Sequence, residues 1–184
     1  MNHYKLFLSF VFAFTTICSI SFNAYSQTRE HLTPQEIDLV KEAQILDKRI
    51  DVFIKAMDRR LLAITGTAPA NAKQLKKDAE KWGELPSGSR AELISDIARI
   101  LDEAITNIDD VSARDERNPL IPKALRTLVQ AVNKVQSQLA PLKAQAKSEA
   151  EIASFELLNE DAQSILEAAK KLPPEVEKKA KNKQ

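Results

Sequence analysis

The side chains best able to do chemistry in this chain are acids, and they crowd into one stretch. Glu92 to Asp110 reads "ELISDIARILDEAITNIDD", six carboxylates in a segment whose apolar residues recur at helical spacing. With Leu93 as zero and 100° per residue, the apolar set falls between about −20° and 120°. Glu92, Asp96, Glu103 and Asp110 fall between about −60° and −100°, with Arg99 beside them at about −120°. Four acids therefore form a column that flanks the core face. Asp47, Asp51 and Asp58 make a similar column at the edge of an earlier apolar stripe. Carboxylate oxygens suit a hard cation such as Ca²⁺ or Mg²⁺, so two such columns side by side are chemically able to hold one. The plainer expectation is a solvated face paired with neighbouring lysines and arginines.

Other chemistries fail for want of residues. Lys5 is followed by an uncharged run, Leu6 to Phe22, then by the small residues Ala24 and Ser26. That is the pattern of a secretory signal peptide over residues 1–26, cut after Ser26. The alternative is an uncleaved membrane anchor, because the run is close to the roughly 20 residues a bilayer-spanning helix needs. With the signal removed, 158 residues remain, formally neutral with 26 basic and 26 acidic side chains. They include one His (His31), one Met (Met57), one Trp (Trp82), two Phe (Phe53 and Phe155) and no Cys or Tyr. Zinc and haem sites draw on His, Cys or Met, so no metal ligand set and no cofactor site is expected. A Ser-His-Asp arrangement would have to recruit His31 from a lead segment, and a cysteine nucleophile is lost with the signal. Sugar hydrolysis by paired carboxylates lacks the aromatic rings such sites use for stacking. The three glycines stand apart, so there is no phosphate loop. Charges of both signs interleave, which argues against a nucleic-acid surface.

The elements that position these residues are legible from period and caps. Thr33 to Glu36 is a capping box with Pro34 at the first helical position. Leu39, Ala43, Leu46, Ile50, Phe53, Met57, Leu61 and Ile64 then step by three and four, predicting one helix over about 34–65. It would be about 48 Å long and the longest in the chain. A short helix over about 72–82 carries Leu75, Ala79 and Trp82 and stops at Gly83. Ser89 with Glu92 caps a helix over about 90–111. Ile121, Leu125, Leu128, Val132, Val135, Leu139 and Leu142 alternate four and three along a helix over about 119–145, with Pro141 expected to kink or fray its end. Ser148 with Glu151 caps a last helix over about 149–172, halted by Pro173-Pro174.

No stretch alternates with the period of a strand. The expected fold is all-α: an antiparallel four-helix bundle over 34–172 with the short helix in its first connection. A flexible lead, 27–33, precedes it, and a disordered basic tail, 173–184, follows. The expected function is that of an exported, periplasmic or secreted, non-enzymatic protein. It would act by protein contact or self-association, or as a structural part of the cell envelope. A small-ligand or cation binder using the acidic edges is the alternative. Two features point to a partner: the length of the first helix, which offers a groove, and Arg59-Arg60 near its end, able to clamp a carboxylate or phosphate.

Overall fold

The computed structural model describes residues 29–66 and 72–172. The expected signal segment and the expected basic tail lie outside the described residues. Six helices and no strand occur among them: α1 Pro34–Glu42, α2 Leu46–Thr65, α3 Ala72–Trp82, α4 Arg90–Arg114, α5 Leu120–Lys143 and α6 Glu149–Lys170. None is long and apolar enough to cross a membrane.

The expected single helix over 34–65 is broken. Ala43 leaves the helical region at φ −78°, ψ 83°, and Ile45 is extended at φ −96°, ψ 133°. The longest described helix is therefore α4, and a groove of about 490 Å³ lies along the second half of α2, bounded by Lys55, Arg59, Leu62, Leu85 and Lys134. No glycine or proline causes this elbow. Its cause is a contact made elsewhere, since Glu36 touches Arg60 at 2.6 Å. In an unbroken helix those residues would stand about 36 Å apart. Folding α1 back onto α2 brings them together, and Arg49 Nε caps the freed carbonyl of Ala43 at 2.9 Å.

The other boundaries follow the caps. Both residues of the Thr33/Glu36 and Ser89/Glu92 boxes make their reciprocal bonds. At Ser148 only half the box forms: its hydroxyl accepts from the Glu151 N–H, while the Glu151 carboxylate turns away to Arg90 at 2.6 Å. Gly66 and Gly83 close α2 and α3 at φ 64° and 71°, the left-handed region that a Cβ disfavours. Pro141 lies within α5, which runs two residues beyond it.

Ile50, Phe53 and Met57 of α2 meet Ile94, Ile97 and Leu101 of α4, Leu128, Val132 and Leu139 of α5, and Phe155, Leu158 and Ile165 of α6 in one buried cluster. Each such side chain is worth about 1.5–3 kcal/mol on removal from water. The principal contacts join α4 with α6, α2 with α4, α2 with α5, and α5 with α6, whereas α4 and α5 barely touch. Ion pairs fix the directions. Lys123 meets Asp47 and Lys134 meets Asp58, so α2 and α5 run parallel. Arg90 meets Glu151 and Ser154 meets the Ala91 carbonyl, so α4 and α6 also run parallel. Between α2 and α4, Arg49 pairs with Asn107 and Arg60 lies near Asp96, an antiparallel pairing. The antiparallel expectation therefore holds for neighbours such as α2 and α4, and fails for two of the four main interfaces. The reason is the 115–119 connection, which carries the chain across the diagonal.

Candidate functional site

Ile50, Phe53, Met57 and Arg60 follow one another by three and four along α2, so Arg60 stands on the apolar face. A guanidinium there needs a buried partner, and the fold supplies Glu36. Arg60 is 1% exposed and Glu36 0%. Glu36 Oε1 accepts from Arg60 Nη1 at 2.6 Å and from Arg59 Nε at 3.0 Å. Its Oε2 accepts from the Thr33 N–H at 2.9 Å, so one carboxylate both caps α1 and neutralises α2. Arg59 also donates to the carbonyls of Gly83 and Glu84 and lies 5.9 Å from the Trp82 ring centre. The α3–α4 connection is thereby tied to the same cluster.

Arg60 reaches further, donating to the Ala56 carbonyl at 3.0 Å and the His31 carbonyl at 2.6 Å. The stretch Arg29–Thr33 lies along α4 as a strap, with bends at His31 and Leu32. Arg29 Nη2 bonds Asp96 at 2.8 Å, and Nη1 stands 3.6 Å from Glu92. His31 Nε2 meets Glu103 at 2.8 Å, Arg99 donates to the Arg29 carbonyl at 3.0 Å, and Leu32 is buried in the core. Arg29, His31, Leu32 and Thr33 of the expected flexible lead are each held by these contacts. Gly88 leaves room for the Arg29 guanidinium, since a Cβ at that position would lie 2.2 Å from Nη1.

Asp96 overturns the expectation of a solvated column. It is buried between the strap and α2, with Arg60 Nε 3.9 Å from its Oδ2. Burial pushes its carboxyl above the usual range, opposed by the charges of Arg29 and Arg60. Arg60 Nε itself has no hydrogen-bond partner. A polar cavity of about 510 Å³ opens beside the pair, bounded by Arg29, Thr33, Arg60, Ser87 and Asp96. Glu92 is held below the usual carboxylate range by its bonds to Ser89.

The remaining acids of the two columns are dispersed. Asp110 is exposed, and its carbonyl accepts from Arg114. Asp47 pairs with Lys123 at 2.6 Å and Asp58 with Lys134 at 2.7 Å, while Asp51 stands 3.6 Å from Lys48. Among the described residues no group of three or more His, Cys, Asp or Glu is placed to hold a metal ion. Asp161 on α6 is the most strongly perturbed acid among the described residues: burial, then Asp102 and Glu160, push it to about 6, and its Oδ2 is buried with no hydrogen-bond partner.

The anion that Arg59 and Arg60 clamp is Glu36 of the same chain, the residue that also caps α1. Arg60 on the core face of α2 is the signal for it in the sequence. Comparison of the chain with protein-family models, with curated proteins and with solved structures finds no match.

Proposed function

We propose that this is an exported, non-enzymatic four-helix-bundle protein, built from α2, α4, α5 and α6, that acts by contact with another protein or as a structural component of the cell envelope. The observation that carries the reading is the fate of the buried charge. Glu36, Arg59, Arg60 and Asp96, the charged side chains most deeply enclosed, are all directed at other parts of the same chain. Here two arginines hold Glu36, and Asp96 is held by a third.

Export is supported by the uncharged run after Lys5 and by the place of the expected cut. Ala24 and Ser26 supply the small residues that a cut after Ser26 requires.

Capture from the exported fraction, with the naturally processed protein as bait, tests the reading together with N-terminal sequencing. A mature terminus at Gln27 and a specific protein partner are expected. Tight calorimetric binding of Ca²⁺ or Mg²⁺ that Asp96→Ala abolishes would replace this reading by that of a cation binder.

A further inference from the structure

We propose that two copies of this chain exchange their N-terminal arms, the strap and α1 of each docking on α2 and α4 of the other. The inference rests on the protein-contact reading and names the partner as a second copy of the chain.

The elbow at Ala43, Gln44 and Ile45 contains neither glycine nor proline, and the apolar period of α1 runs through it into α2. Local preference therefore favours one continuous helix over 34–65, and only the tertiary contacts of the arm hold it bent. Those contacts are separable from the bundle. The helices that α1 touches are α2 and α3, while the interfaces among α2, α4, α5 and α6 are made without it. Ile45, at the bend, is the most exposed large apolar residue among the described ones, at 56%.

Straightening the elbow carries Glu36 about 36 Å from its own Arg60, too far to reach it. The arm then matches the vacated site on another copy. There Glu36 meets Arg59 and Arg60, Arg29 meets Asp96 and Glu92, His31 meets Glu103, and Leu32 enters the core, each contact being the one now made within the chain. Reciprocal exchange makes every arm contact twice and closes under a two-fold axis. What changes is the elbow, which gains helical hydrogen bonds and gives up the bond from Arg49 to Ala43.

The test is sedimentation of the naturally processed protein under reducing conditions, after refolding at low and at high concentration. Dimer that grows with concentration is expected. Gln44→Pro blocks a continuous helix, and Ala43 before it is already outside the helical region that a following proline disfavours. This variant should lower the dimer association constant at least about a hundredfold. Three residues, Gly-Ser-Gly, inserted after Gln44 should do the same, and they serve if the proline variant does not fold. A wild-type protein that stays monomeric at every concentration overturns the exchange. So does a dimer that persists in both variants. Either result leaves contact with a foreign protein to be decided by the capture experiment.

Discussion

Glu36 and Arg60, twenty-four residues apart, meet at 2.6 Å with both side chains closed off from water. Removing one side of such a pair leaves an uncompensated charge inside. Glu36→Ala should destabilise the protein by about 3–5 kcal/mol, read as a fall in the urea midpoint. Replacing Glu36, Arg59 and Arg60 together by leucine or methionine should recover part of that loss, because the three charges leave together, while Asp96 loses Arg60 and keeps Arg29.

Asp161 makes a prediction with the opposite sign. Its folded pKa, pushed up to about 6, lies above the ordinary carboxylate value of 3.8, so the fold penalises the charged form. The penalty is absent below the ordinary carboxylate range and complete above pH 6. Asp161→Asn should raise stability by about 1 kcal/mol at pH 7.5, after allowance for solvent screening, and leave it unchanged at pH 3.5. Paired melting curves at the two pH values check this, and an equal effect at both would refute it.

Two glycines separate backbone cost from contact cost. A Cβ at Gly66 would meet nothing within 4 Å, whereas at Gly83 it would stand 3.1 Å from the Gln35 side chain. Gly66→Ala should therefore cost about 1 kcal/mol from the positive φ alone. Gly83→Ala should cost more, because Gln35 must also give way. Thermal melts of the two variants supply the comparison.

Arg90→Ala should change the melting temperature little, although it deletes a 2.6 Å ion pair. The Glu151 carboxylate, held below the usual range by Arg90, is then free to turn to the Ser148 N–H and complete the capping box. Arg90→Ala combined with Glu151→Ala removes that recourse and should melt clearly lower.

Helices α3 to α6 were legible because their signals are local: Ser89, Ser148, Gly83 and Pro119 punctuate them, and their apolar faces keep a regular step. The elbow after Glu42 was not, because residues 43–45 are good helix formers and the force that bends them comes from Arg60. Asp96 was misplaced for the same reason. Its angle on α4 is at the edge of the core as expected, and its burial is supplied by Arg29 and by α2. The parallel pairing of α2 with α5 was equally hidden, since nothing in the exposed 115–119 connection records that it crosses a diagonal.

That crossing has a consequence for the chain when it is cut. The 115–117 peptide bonds are exposed, and the halves on either side hold α2 with α4 and α5 with α6. Each half is an incomplete core, and the two remain gripped through both parallel seams. A protease that nicks this connection should leave one particle, and separately produced halves should reassemble on mixing, as a two-part reporter does.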